Sequence, residues 1–301
     1  MTLQELKYIV AVAEEKHFGR AAQRCFVSQP SLSAAIRNLE EELGVKVFER
    51  GKPGVLLTGV GEGVVEQARR VLQEADKIKA IAKSGRNPLA GVLRLGVIPT
   101  IAPYLLPDLV QALRIAAPQM PLDIEENLTA TLEGMLRSGT IDAAILALPF
   151  EVPGVETLPL YDEEFRLVVP VRHPWARRKH VALEELQPAN LLLLPVGHCF
   201  RNQVLDACGE FAFAPTTGRQ GNSLETLRSM VASGLGMTVL PATALTAHHG
   251  NPLVKALPFE DPRPTRRVAI AWRSGFPRLA ALRAVGDAAR GLKLPIEPAS
   301  I

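Results

Sequence analysis

The sequence predicts a multi-domain protein: an all-α, winged helix-turn-helix head, a long linker helix, and a C-terminal α/β domain. Three observations carry this reading. Apolar residues recur at helical spacing through the first 58 residues, where two short helices meet at a tight turn. A heptad stripe follows, from residue 64 to residue 82. From residue 92 onward, strand-like runs alternate with helix-like ones. The expected boundaries are 1–58 for the head, 59–87 for the linker and its hinge, and 88–301 for the rest. A chain of 301 residues is long for one core, so division is the default.

Composition sets the outer limits. Hydrophobic residues make up 47% of the chain and charged residues 22%, the balance of a soluble globular protein. The uncharged stretch Leu95 to Pro107 contains three prolines and is too short to span a bilayer, so no membrane partner is expected. Three cysteines cannot build a disulfide framework, and Glu14, Glu15 and Lys16 interrupt the first apolar run, so no signal peptide is expected. Both features point to a reducing cytoplasm. Residues 1–87 hold 14 Lys/Arg against 11 Asp/Glu, and residues 88–301 hold 20 against 20. The positive excess lies wholly in the head and linker, but it is too small to establish a nucleic-acid partner by itself.

In the head, Leu3, Leu6, Ile9, Val10 and Ala13 mark a first amphipathic helix ending near His17. Gly19-Arg20-Ala21-Ala22 opens a short second helix, whose alanines let another helix approach closely; Cys25 falls at its end and reads as core. After the Phe26-Val27 link, Ser28 is placed to cap a third helix, and Pro30 in its first turn needs no amide partner. Leu32, Ile36, Leu39 and Leu43 form that helix's inner stripe, leaving Gln29, Ser31, Ser33, Ala34 and Arg37 facing out. The helix-turn-helix motif spans about 18–37, and periodicity alone also fits an ordinary three-helix packing unit with its polar residues facing water. A recognition helix of this kind presents its N-terminal side chains to base edges in the major groove. VKVFER and VLLT then read as two short strands joined by Gly51-Lys52-Pro53-Gly54, a wing whose Arg50 and Lys52 suit phosphates.

Thr58 to Ser84 reads as one long helix. Val64, Ala68, Val71, Ala75, Ile78 and Ala82 alternate at spacings of four and three, which is a dimer seam about three heptads long. The other reading, packing against its own head, is disfavoured by the charge on the faces flanking the stripe. Gly85-Arg86-Asn87-Pro88 breaks the helix and serves as a hinge. Beyond it, VLRLGVIPT, LDIEENL, AAILALP, FRLVVPV, LLLLP, MTVLP and RRVAIAWR are strand candidates. Runs 103–116, 130–138, 201–208, 223–233 and 277–291 are helix candidates. Ligands of such α/β folds bind at the C-terminal ends of parallel strands, and Thr100 ends the first strand while Thr129 opens the helix after the second.

The stretch GHCFRNQVLDAC, residues 197–208, holds two of the three cysteines. A thiolate is the reactive form of cysteine, and nearby cationic groups raise its population. If the segment from Arg201 is helical, a rise of about 1.5 Å per residue puts the two Cα atoms roughly 13 Å apart. A disulfide needs them within about 7 Å, so bridging them would require melting that turn. Taken by themselves, these residues favour two buried cysteines acting as small hydrophobes. His198 taken alone reads as a capping or core residue, and Arg201 as a surface charge.

The string AEEKHFGRAAQRCFVSQPSLSAAIRNLEEELGVKVFER, running into LLTGVGEG, closely resembles the N-terminal domain of LysR-type transcriptional regulators. That resemblance implies a C-terminal domain of two lobes, similar to periplasmic binding proteins. Lobe I would comprise about 88–163 and 268–301, and lobe II about 164–267, with crossings near 163–168 and 262–268. Within the family, GVIPTIAPYLLP, GHCFRNQVLDAC and SLETLRSMVASGLGMTVLP resemble the peroxide-sensing OxyR branch over nearly the whole chain. The branch implies Cys199 as the peroxide-reactive cysteine and Cys208 as its resolving disulfide partner. It also implies a peroxide pocket of Thr100, Thr129, Gly197, His198 and Arg201. Asn202, where an acidic residue is common, and Ala130, where a histidine occurs, depart from the pattern and bear on rate and pH dependence.

The expectation is therefore a cytoplasmic regulator of oxidative-stress genes, switched by hydrogen peroxide, that is not itself an enzyme and needs no metal or cofactor. Its implied partners are double-stranded operator DNA, further copies of the chain up to a tetramer, RNA polymerase, and a cellular thiol reductant. An alternative keeps the regulator but binds a small carboxylate between the lobes through Thr100 and Ser223, leaving both cysteines dispensable. A thiol peroxidase or disulfide oxidoreductase is disfavoured by the missing C-x-x-C motif and by the DNA-binding head.

Overall fold

The computed structural model describes residues 1–51, 54–84, 87–186, 191–208 and 221–299, with residues 50, 51, 54, 77, 79–84 and 208 described by backbone alone. Lys52 therefore lies outside the described residues, as do the side chains of Arg50, Ala82 and Cys208. The chain forms two units, Met1–Arg86 and Asn87–Ile301.

The first unit begins with α1 (Leu3–Glu15), opened by a capping box in which Thr2 and Glu5 satisfy each other's backbone amides. His17 caps α2 (Phe18–Arg24), its Nδ1 accepting from the amides of Gly19 and Arg20. Ser28 caps α3 (Gln29–Leu43) through the Ser31 amide, and Gly44 ends it at φ 68°. The inner stripe of α3 is buried at Leu32, Ile36 and Leu39, where α1 and α2 close over it.

One charged residue joins them. Glu40 is buried and accepts from the amides of Val47 and Phe48 and from Lys46 Nζ. Burial alone would push its carboxyl up, but those three donors outweigh burial and hold it below the ordinary glutamate value. The bonds pin α3 to the strand that follows, β1 (Phe48–Gly51), which pairs antiparallel with β2 (Gly54–Leu57) to make the wing.

The long helix α4 (Gly59–Ser84) leaves the wing at a close approach: a Cβ on Gly61 would stand 2.1 Å from the Val47 carbonyl oxygen, so only glycine fits. Part of the stripe expected as a dimer seam faces the head's own core. Ala68 is buried in the core of its own unit together with Val65, and Val64 and Val71 pack against the same core. The helix lays its first turns along α1, where Arg69 meets Glu14 at 3.5 Å, which buries Ala68 and half-buries Val64 and Val71. Ala75 is half-buried, and Ile78 is 70% exposed.

In the second unit β3 (Leu93–Val97), β4 (Leu122–Glu126) and β5 (Ala143–Ala147) run parallel, linked by α5 (Ala102–Ala116) and α6 (Thr129–Ser138). The long strand β6 (Val155–Pro170) then passes from one sheet into another. Residues 155–164 pair with β9 (Thr265–Arg273), and residues 165–170 pair with β7 (Thr238–Pro241) and β8 (Val254–Pro258). Lobe I is completed by α9 (Leu279–Arg290) and a short β10 (Glu297–Pro298); lobe II holds α7 (Cys199–Cys208) and α8 (Leu224–Ala232). The first sheet has the order β10-β6-β9-β5-β3-β4.

The strand expected at LLLLP is not formed. Leu191 bridges Met237, Leu193 carries a second isolated bridge, and the Leu192 carbonyl between them is taken by the Thr238 hydroxyl at 2.8 Å, so no ladder extends along the segment. Conversely, β8 was not foreseen. Among the described residues no helix is long and apolar enough to cross a membrane.

Candidate functional site

The C-terminal ends of β3 and β4 place two hydroxyls. Thr100 lies in the turn between β3 and α5 and is 3% exposed. Arg266, at the start of β9, donates from Nη1 to Thr100 Oγ1 and from Nη2 to the Thr100 carbonyl, each at 3.0 Å. Thr129 is the first residue of α6, and its Oγ1 is buried without a hydrogen-bond partner among the described residues. An unpaired buried hydroxyl is costly, and a small polar molecule reaching it would satisfy it.

Lobe II brings the third component. Gly197 takes φ +105°, and a Cβ there would touch Leu128 Cδ1 at 3.3 Å, so the 195–198 turn lies against the start of α6. His198 is half-buried, and burial lowers its imidazole pKa, favouring the neutral ring. Cys199 follows as the first residue of α7, a half-buried free thiol packed against the lobe I core. The first turn of a helix exposes unpaired amides to any negative charge that develops there. Arg201 Nη1 donates to the Leu194 carbonyl at 3.0 Å, which folds the guanidinium back onto its own lobe.

The faces of α7 divide its loyalties by helical spacing. Phe200 and Val204 are buried in the lobe II core. Cys199 and Gln203 face lobe I, where Gln203 Nε2 donates to the Leu148 carbonyl at 3.0 Å. The helix is intact from Cys199 to Cys208, so a rise of about 1.5 Å per residue still separates the two Cα atoms by roughly 13 Å.

Beneath these groups lies an ion pair with both side chains fully buried. Arg266 meets Glu163 at 2.8 Å, and the second Glu163 oxygen accepts from the Thr243 amide at 2.7 Å. The Arg266 guanidinium also stacks over the Phe200 ring at 5.1 Å, and Phe165 meets that ring edge-on at 5.2 Å. Thr100, Arg266 and Phe200 are thus one connected unit, ending beside Cys199.

In the head, Gln29, Pro30, Ser31 and Arg37 are exposed along the first turns of α3, and Ser33 is half-buried. The Ser28 oxygen is engaged as the helix cap and bonds the Ser31 hydroxyl at 2.8 Å. The described residues of the chain show no cluster of three His, Cys, Asp or Glu side chains placed to hold a metal.

Comparison with known proteins locates this architecture. Residues 3–62 match the family described as bacterial regulatory helix-turn-helix protein, lysR family, and residues 86–292 match the LysR substrate binding domain. The chain belongs to the LysR family.

Among LysR relatives, a hydrogen peroxide-inducible genes activator of Dickeya chrysanthemi is 41% identical over 96% of this chain and 95% of its own. Full-length OxyR of Pseudomonas aeruginosa, carrying a cysteine-to-aspartate substitution, superposes with a TM-score of 0.80. It is 51% identical and covers 97% of this chain and 99% of that one. A hydrogen peroxide-bound cysteine-to-serine mutant of OxyR from Corynebacterium glutamicum superposes with a TM-score of 0.66. Its identity is 36%, with 96% of this chain and 91% of that one covered.

Four residues of this candidate site lie outside what the sequence pattern indicates: Glu163, Phe200, Gln203 and Arg266. A signal existed for Arg266. Alternation along RRVAIAWR puts Arg266 on the face of Val268 and Ile270, both buried, and an arginine on an inward face demands a buried partner.

Proposed function

We propose that the protein is a LysR-type transcriptional regulator that senses hydrogen peroxide through Cys199 and Cys208 and controls oxidative-stress defence genes. The observation that carries the reading is α7: an intact helix with Cys199 seated between the lobes at one end and Cys208 at the other. The Cys199 thiolate attacks one oxygen of the peroxide, the O–O bond breaks, and hydroxide leaves with the bonding pair. The product is Cys199 sulfenic acid. The hydroxyls of Thr100 and Thr129 serve as donors to the leaving oxygen, and Arg266 holds Thr100 in place. Cys208 then condenses with the sulfenic acid, forming the disulfide and releasing water. Two equivalents of a cellular thiol restore both cysteines. Each event is a signal rather than a turnover.

Closing the disulfide requires α7 to melt, because the intact helix holds the two Cα atoms beyond bonding range. Melting withdraws Phe200 and Val204 from lobe II and Gln203 from Leu148, which reshapes the effector unit and the pairing of its copies. The lobes take the periplasmic-binding-protein arrangement in a cytoplasmic protein. The assembly is at least a dimer and reaches a tetramer on operator DNA, where α3 reads the major groove and RNA polymerase is engaged. The carboxylate reading is weaker. Thr100 already accepts from Arg266, the Ser223 oxygen caps α8 through the Thr226 amide, and the Arg266 charge is spent on Glu163.

The test is a non-reducing peptide map before and after peroxide. Wild type should yield a peptide linking Cys199 to Cys208, and Cys208→Ser a trappable sulfenic acid at Cys199. Cys199→Ser should give neither, and Cys25→Ser should behave as wild type. A Cys199–Cys25 link, or an unmodified Cys199 in cells that still respond, refutes the mechanism.

A further inference from the structure

The turn between α2 and α3 carries two anomalies on one residue. Phe26 is 96% exposed, and its backbone sits at φ +57° in the left-handed region. The hydrogen bonds explain the second. The Phe26 amide donates to the Gln23 carbonyl and the Val27 amide to the Ala22 carbonyl, closing α2 with a Schellman motif whose C′ residue is Phe26. That position demands the left-handed conformation, which glycine adopts freely and asparagine readily, whereas a ring-bearing side chain pays for it. Nothing in the head repays the strain, because almost the entire side chain is in solvent. Strained backbone of this kind concentrates where function holds it.

Location decides which function. Phe26 stands two residues before the Ser28 cap of α3, on the stretch that leads directly to Gln29 and Ser31. Val27, by contrast, turns inward onto the head's core. The ring is thus an apolar group presented beside the polar residues left outside the buried stripe of α3. In the major groove the one apolar feature of the base edges is the thymine C5 methyl, which phenylalanine side chains meet by direct contact.

We propose that Phe26 is a specificity-determining DNA contact whose ring packs on a thymine methyl next to the bases met by Gln29 and Ser31. The proposal rests on the reading of α3 as the recognition helix. The turn then serves DNA binding twice: it sets the angle between α2 and α3, and it offers a base contact that the polar residues of α3 cannot make.

The test uses the full-length protein and duplexes that it enriches from a random-sequence library. Phe26→Asn keeps a residue tolerant of the left-handed conformation, so its thermal midpoint should equal or exceed wild type. Its affinity for the enriched duplex should nevertheless fall. Replacing thymines one at a time by uracil removes only the methyl. At the contacted position wild-type affinity should drop about fourfold, the factor that burial of one methyl group corresponds to. The variant should not respond there. If Phe26→Asn binds as wild type does, or if uracil weakens both proteins equally at every position, the inference is wrong. If the variant loses self-association in sedimentation, the ring belongs to a protein interface and the inference is again overturned. Failure of wild type to enrich any duplex would overturn both this proposal and the reading of α3.

Discussion

Removing Arg266 should expose how the effector unit is held together. The Arg266–Glu163 pair has both side chains at 0% exposure, so Arg266→Met strands an uncompensated carboxylate in the interior. Losing one partner of a buried pair costs about 3–5 kcal/mol. For a domain of this size that lowers the thermal midpoint by roughly 6–20 °C. The companion variant Glu163→Leu/Arg266→Met removes both charges and should recover most of that loss, since well-packed apolar replacements of buried pairs are often neutral. Urea unfolding followed by tryptophan fluorescence reads this unit alone, because both tryptophans, Trp175 and Trp272, lie within it. Stability and function should then part company. Neither variant restores the two bonds from Arg266 to Thr100, so both should be oxidised by peroxide at least about tenfold more slowly, the loss expected when a reacting group is no longer oriented. If the single variant is as stable as the double one, or if the double variant regains the wild-type oxidation rate, the account of this pair is wrong.

Glu40 predicts a pH dependence in the head. Its folded pKa is lowered, so its contribution is complete above the ordinary value of 4.5 and is lost as pH falls through the lowered folded value; Glu40→Gln should flatten that acid limb in denaturation experiments. Ile78→Glu should weaken self-association in sedimentation while leaving the stability of the head unchanged, because Ile78 is 70% exposed. Val71→Glu should instead destabilise the head itself, and identical behaviour of the two variants would restore the full-length seam. Arg37→Ala should weaken binding to all duplexes and reduce the salt slope by about one unit if Arg37 meets phosphate; an unchanged slope would take it off the backbone.

Much of the fold could be read from local pattern, because the pattern and the burial have the same cause. The Leu32, Ile36, Leu39 stripe, the Ser28 cap and the cysteines at the two ends of α7 all follow from spacing along one helix. What escaped depends on contacts distant in sequence. Arg266 finds Glu163 across 103 residues and Thr100 across 166, and no local period reports a partner that far away. The stripe on α4 shows a related limit of local pattern. A heptad announces that a face is covered but not by what, and here α1 covers the first turns. LLLLP misled because four consecutive leucines read as a strand, whereas only isolated bridges form here and the Leu192 carbonyl goes to a threonine side chain.

The long strand β6 has a consequence for how this protein tolerates change in length. Along it Tyr161, Glu163, Phe165 and Leu167 are buried while Asp162, Glu164 and Arg166 are not, and the alternation holds from 161 to 167 as the strand passes from lobe I to lobe II, before Val168 and Val169 are both buried. Both cores therefore share one period and one phase. Inserting or deleting a single residue near the crossing would turn every lobe II side chain of the strand over relative to lobe I, putting Arg166 where Phe165 packs. Substitutions there can be absorbed one side chain at a time, but a frame-preserving insertion cannot. Lineages of this chain should accumulate length variation in the loops and almost none between residues 161 and 169.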